Sequence, residues 1–138
     1  MANTTYQVSA DDHRLRVRLE GRYDLAGLLG VIGSVVGVEG YVPGMDALYD
    51  ATAAEFAFDA GDVRAFADTA GADFSIWGSD WCFAIAVSSD LMYGLSRMIG
   101  AWFEDAPFQV GIFRSLDEAE RWIDAGGGDL DVWSTGEA

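Results

Sequence analysis

An α/β domain on a mostly parallel, five-stranded sheet is the fold class this sequence predicts, and three observations predict it. Apolar residues first alternate and then switch repeatedly between helical spacing and short continuous runs. Two alternating segments near the start are joined by a brief polar turn, the mark of a β-hairpin. The remaining order, helix, strand, helix, strand, helix, strand, helix, needs crossover connections, and these lay helices over a parallel sheet. A length of 138 residues suits one domain, and 51% apolar content supplies a core despite a net charge of −15.

Each element has its own local reason. Tyr6-Gln7-Val8-Ser9 alternates weakly and Arg14 to Glu20 alternates strictly, so two strands meet across a turn at Asp11-Asp12-His13. Beyond Gly21, Asp24 is placed to cap a helix running from Leu25 to Val38, with Leu25, Leu28, Leu29, Ile32, Val35 and Val36 at helical spacing. Gly27, Gly30, Gly33 and Gly37 lie within it, and each costs about 1 kcal/mol relative to alanine in a helix interior. They point to close approach against the sheet or, alternatively, to a mobile helix. Pro43-Gly44 turns the chain into a short strand, Met45 to Asp50, with Asp50 at its C-terminal end. Val63, Phe66 and Ala67 give a helix over Ala60 to Ala70, started near Asp59 or Asp62 and ended at Gly71.

Gly71 to Asp80 lacks periodicity and reads as a loop, whereas Cys82 to Val87 is apolar throughout and reads as the central strand. Ser89 or Asp90 caps a helix from Leu91 to about Phe103, with a core stripe of Leu91, Leu95, Met98, Ile99 and Trp102. Pro107 stops that helix, Phe108 to Phe113 forms another strand, and Ser115-Leu116-Asp117-Glu118 is a capping box opening the helix through Trp122 and Ile123. The domain therefore spans 1–124. Residues 125–138, with Gly126-Gly127-Gly128 and then acidic and small residues, read as a flexible tail whose Leu130, Val132 and Trp133 can dock on a neighbouring surface.

Charge and composition exclude several functions. The 23 acidic residues face 8 basic ones, all arginine. Without lysine there is no Schiff base, no P-loop lysine and no lysine general base. A single cysteine, Cys82, cannot form a disulfide within the chain and reads as a small core residue, and with His13 it leaves no Cys/His zinc set. His13 sits in a solvated turn, so neither a catalytic constellation nor a metal site is expected, and no cofactor is implied. A strongly negative surface repels nucleic acid and anionic membranes. The longest uncharged run, Leu25 to Val38, is shorter than the roughly 20 residues that span a bilayer, and the start of the chain lacks a signal-peptide pattern. The expectation is a cytoplasmic protein without membrane insertion. High salt and genome bias both account for the missing lysine.

Four segments occur in one order: Tyr41-Val42-Pro43-Gly44-Met45-Asp46-Ala47-Leu48-Tyr49-Asp50, Phe83 to Val87, Tyr93-Gly94-Leu95-Ser96-Arg97-Met98, and Phe113 to Ile123. Together they resemble the SpoIIAA-like, or STAS-like, family of small bacterial proteins, over about Tyr6 to Ile123. The resemblance implies the small α/β domain found in anti-sigma-factor antagonists, with a fold similar to CRAL-TRIO lipid-binding domains. In the antagonists a Ser or Thr beside an Asp, at the end of the third strand, is phosphorylated by a partner kinase. The matching stretch here is Asp50-Ala51-Thr52-Ala53, which puts Thr52 at the phosphoacceptor position, without the paired serines and following glycine of that motif.

Ligands of parallel sheets bind beyond the carboxyl ends of the strands. Asp50, Thr52, Ser88, Ser89, Arg97 and Arg114 are the candidate binding residues there; the alternative is that Asp50 and Ser89 cap helices and Arg97 forms a structural ion pair. Arg14, Arg16 and Arg18 share one face of their strand and, with Arg22, hold half the positive charge. They form either a recognition stripe or a face paired with acidic helices. The function expected is a non-enzymatic interaction or regulatory module that binds a protein partner or itself as a homodimer. Binding of a small apolar, lipid-like ligand is the alternative, and an enzyme of unknown class comes third.

Overall fold

The computed structural model of the chain describes residues 2–69, 74–104 and 106–128. The elements are β1 (Asn3–Ser9), β2 (Arg14–Tyr23), α1 (Leu25–Ser34), a 3-10 turn (Val35–Gly37), β3 (Asp46–Phe56), α2 (Ala60–Thr69), a second 3-10 turn (Phe74–Trp77), β4 (Cys82–Val87), α3 (Asp90–Trp102), β5 (Gln109–Phe113) and α4 (Leu116–Asp124). The five strands lie in the order β1-β2-β3-β4-β5, with β1 antiparallel to β2 and every other pair parallel. The expected α/β class, hairpin and four helices are present.

Alternation on β2 divides the molecule into two layers of side chains. Leu15, Val17 and Leu19 face a core completed by Leu28 and Ile32 of α1, Val63 of α2 and Met92, Leu95 and Ile99 of α3. The opposite face carries Leu48, Cys82, Ala84 and Ala86, and α4 lays Ala119, Trp122 and Ile123 upon it. Small residues on β4 let the helix sit low, and Trp122 is fully buried there. All six residues of β4 are buried, as a central strand requires. The α4 face is covered over β3 to β5, leaving β1 and β2 beside it without a helix of their own.

Several expectations about elements are corrected. The third strand does not end at Asp50 but continues to Phe56. Arg18 pairs with Asp50 while Glu20 pairs with Ala53, so β3 carries one extra residue and bulges. Ala51 points inward, Thr52 and Ala53 are both exposed, and Ala54 and Phe56 return to the core, a phase change that hides the strand's second half from a period-two pattern. Opposite the bulge, β2 itself runs on to Tyr23 through Gly21, which adopts φ 92°, a backbone region open to glycine at little cost.

The first helix stops at Ser34 rather than Val38 and tightens into the 3-10 turn. Its glycines do not serve close approach. A Cβ on Gly30, Gly33 or Gly37 would meet nothing within 4 Å, and one on Gly27 would meet only the capping carboxylate of Asp24, at 2.9 Å. In α3 the buried residues include Met92, Leu95, Ser96 and Ile99, whereas Leu91, expected in the stripe, is 66% exposed. Within the expected loop lies the 3-10 turn at Phe74–Trp77. The side chains of Phe66, Ala67 and Trp102, and residues 70–73, lie outside the description.

Ser115 caps α4 as expected: Glu118 N–H donates to Ser115 Oγ at 3.2 Å, and the Ser115 hydroxyl, rather than its backbone N–H, donates to Glu118 Oε1 at 3.0 Å. After α4 the chain is held rather than loose through Gly128. Gly126 and Gly127 donate to the carbonyls of Ile123 and Trp122, and the Gln109 side chain bridges Gly126 and Gly128. Residues 129–138, with Leu130, Val132 and Trp133, lie outside the described residues.

Candidate functional site

The parallel register of β2 and β3 joins residues that are 32 positions apart. Arg18 sits opposite Asp50, its guanidinium 3.8 Å from the Asp50 carboxylate and 3.7 Å from Glu20. Thr52 turns its hydroxyl back onto the same carboxylate, donating from Oγ1 at 2.6 Å and from its backbone N–H at 3.1 Å. The bulge is what makes this possible, since it leaves Thr52 exposed while Asp50 keeps its place in the ladder. Beside the cluster, in the part of the sheet α4 does not cover, runs an open groove of about 270 Å³ lined by Thr5, Gln7, Arg16, Arg18, Leu48, Asp50 and Leu116.

A second cluster closes the carboxyl ends of β4 and β5. Ser89 caps α3 by accepting from Met92 N–H at 3.2 Å, and Ser88 Oγ rests 3.8 Å from the Met92 sulfur. Arg114 pairs with Asp90 and lies over the Tyr93 ring, 4.6 Å from its centroid. Arg97 reaches the same ring at 6.0 Å. Among the described residues it has no carboxylate within ion-pair reach.

The six candidates therefore fall into two neighbouring groups, Asp50 with Thr52 and Ser88, Ser89, Arg97 and Arg114 together. Ala51 pairs with Val87, so Thr52 and Ser88 each follow the last paired residue of adjacent strands. Sequence reasoning named Arg18 and Asp50 separately and did not join them. It also passed over Thr5, Gln7 and Leu48, whose only sequence signal is strand alternation, and Leu116 at the start of α4.

Arg14, Arg16 and Arg18 do share that face, and acidic side chains meet each of them. Arg14 is nearly buried and contacts Asp124 at 2.8 Å; Arg16 contacts Glu120 at 2.6 Å and Asp12 at 3.7 Å. Glu120 and Asp124 both belong to α4, so the stripe fastens the last helix to the first hairpin.

The interior holds little free space. Two apolar voids lie between α1, α3 and the sheet, of about 10 and 20 Å³, room for a single water each. Ser96 borders the larger, buried and with no hydrogen-bond partner for its hydroxyl among the described residues. Burial pushes the Cys82 thiol up to about 11, and nearby Asp46 adds to the shift. At neutral pH it stays protonated and is no nucleophile. His13 sits in the hairpin turn with φ 52°. Among the described residues no group of three His, Cys, Asp or Glu side chains gathers as a metal ion needs, and no helix is long and apolar enough to cross a membrane.

The sequence matches no family model and no curated protein. Solved structures do resemble the fold. An uncharacterized protein of the DUF3478 family with a SpoIIAA-like fold, from Shewanella loihica PV-4, superposes with a TM-score of 0.51 at 16% identity, covering 89% of this chain and 95% of that one. An anti-sigma factor antagonist from Mycobacterium paratuberculosis aligns with a TM-score of 0.49 at 20% identity, over 88% and 95% of the two chains. The architecture is the SpoIIAA-like fold.

Proposed function

We propose that the chain is a non-enzymatic, cytosolic regulatory module that acts by binding protein, either a partner or a second copy of itself, through the surface around Arg18, Asp50 and Thr52. The observation that carries the reading is an exposed Thr52 hydroxyl held on an ion-paired carboxylate beside an open groove. A negatively charged group added to Thr52 would stand against Asp50 and compete for Arg18, changing the charge of the surface without disturbing the core. The described residues offer no activated nucleophile beside it.

The test compares capture of proteins from an extract of the source cells by the immobilised wild type, Thr52→Glu and Arg18→Glu, with sedimentation of each. A protein retained by the wild type and lost from both variants is expected. Identical retention by all three would remove this surface from the function.

A small apolar ligand is the second reading, favoured by the unpartnered Ser96 hydroxyl facing the larger apolar void. The voids as they stand admit no lipid, so α1 would have to move outward. Hydrogen exchange in α1 should then slow, and the melting temperature rise, when a fatty acid is added. No change in either would end the carrier reading.

A further inference from the structure

The last strand leaves one edge of the sheet open. β5 pairs with β4 alone, and Val110 to Phe113 hold no charge, no proline and no bulge to blunt that edge. Along it runs a groove of about 550 Å³, walled by Arg97 and Gly100 of α3 on one side and Trp122 of α4 on the other, with Val110 and Ile112 at its base. Both of these strand residues are only half-buried, and Arg97 is exposed. The other charged side chain on the groove, Glu104, follows the end of α3, seven residues on from Arg97 and so about 10 Å away at about 1.5 Å per residue. Positive charge is thus confined to the Arg97 end.

The chain itself is delivered into this groove. Gly128 lines it, held by its N–H on Gln109 Oε1 at 2.9 Å. Ten residues of the sequence follow, Asp129 to Ala138, with three carboxylates and no cation among them. They open as Asp129-Leu130-Asp131-Val132, the alternation of a strand with one acidic and one apolar face, and Trp133 and Thr135 after them are good strand formers.

We infer that this segment of the chain folds back along β5 as a sixth strand and fills the groove, covering the edge in its own molecule. Its direction follows from its start: Gly128 sits beside Gln109, the first residue of β5, so the segment runs parallel to that strand. Asp131 is three residues beyond Gly128 and Ile112 three beyond Gln109, about 10 Å in each case, so the two come level. Ile112 lies against Gly100, where an added Cβ would meet its side chain at 3.2 Å, and Arg97 is one helical turn from Gly100. Asp131 therefore supplies the carboxylate that Arg97 lacks among the described residues, while Leu130 and Val132, on the opposite face, turn toward Trp122. The groove beside Asp50 is the poorer host, because Arg16 and Arg18 there already hold Glu120 and Asp50.

Hydrogen exchange of the full chain, resolved by nuclear magnetic resonance, reads the edge directly. The amides of Val110 to Phe113 that β4 leaves free should exchange slowly, and equally so after dilution. Arg97→Glu and Asp131→Arg should each speed that exchange about fivefold, and Arg97→Glu/Asp131→Arg together should restore it. Circular dichroism should show all three variants folded, since Arg97 is exposed. Free exchange of these amides in the wild type overturns the inference and leaves the edge to a separate protein. Exchange unchanged by either single variant, or a loss that the swap does not restore, overturns it as well. Protection that fades on dilution overturns it in favour of the same segment from a second copy.

Discussion

Burial of the Cys82 thiol makes its ionisation a reporter of folding. The group ordinarily loses its proton near 9.0 and in the folded chain holds it to about 11. The unfolded chain sheds that proton first, so its contribution to stability is complete below about pH 9 and is lost as pH climbs toward 11. Urea midpoints measured across that window should fall more steeply for the wild type than for Cys82→Ala, and alkylation of the folded protein at neutral pH should be far slower than after unfolding. Arg14 gives a second prediction at this scale. Its guanidinium is nearly buried and holds Asp124 with one nitrogen while Nε has no partner among the described residues. Asp124→Asn should therefore cost about 1–2 kcal/mol in chemical denaturation, more than an exposed pair is worth and less than a fully buried one. The residue types of the candidate site were legible in sequence, because carboxyl ends of parallel strands and single-sign stripes are local patterns. Its central contact was not, since Arg18 meets Asp50 only through a strand register that nothing local to either residue encodes.

At the level of elements, α1 is weakly reinforced by its own sequence. Asp24 caps it, yet its first turn has no acidic residue, its last turn has no basic one, and Gly30 and Gly33 add flexibility without making a close contact. Gly30→Ala and Gly33→Ala place a methyl group in open space on a helical backbone. Each should raise stability by about 0.5–1 kcal/mol, read as a higher urea midpoint at unchanged slope. A loss instead would show that α1 packs more tightly than its surroundings indicate. By contrast, α4 is anchored by its Ser115 cap, and Ser115→Ala should cost about 1 kcal/mol. Elements with strong punctuation were readable from sequence: Ser115 with Glu118, Ser89 before α3, and the unbroken apolar run of β4. The second half of β3 was not, because an extra residue at the bulge inverts the inside and outside positions, and Ala51, Thr52, Ala53 and Ala54 carry little hydrophobic contrast.

Across the whole molecule, self-repulsion of a −15 charge opposes compaction, and the ion pairs on the arginine face offset only part of it. Salt shortens the screening length from ~30 Å at about 0.01 M to ~3 Å at about 1 M. The melting temperature should therefore rise between those concentrations. A fall would mean that the pairs of Arg14, Arg16 and Arg18 outweigh the general repulsion. The order of strands and helices was visible in the sequence because each crossover needs a helix between parallel strands, whereas the bare half of the α4 face follows from where one short helix lands on a wide sheet.

Fastening α4 to β2 through contacts 104 and 110 residues apart also fixes a sequence of events during synthesis. The hairpin, the three parallel strands and the helices of the opposite face can assemble as they emerge, but the apolar patch of Leu48, Cys82, Ala84 and Ala86 has no cover until the chain has been made through Ile123. A chain released before Ser115 has been added therefore displays a sheet with one finished side and one sticky side. Released chains truncated there should aggregate or recruit chaperones, and those extended past Asp124 should not.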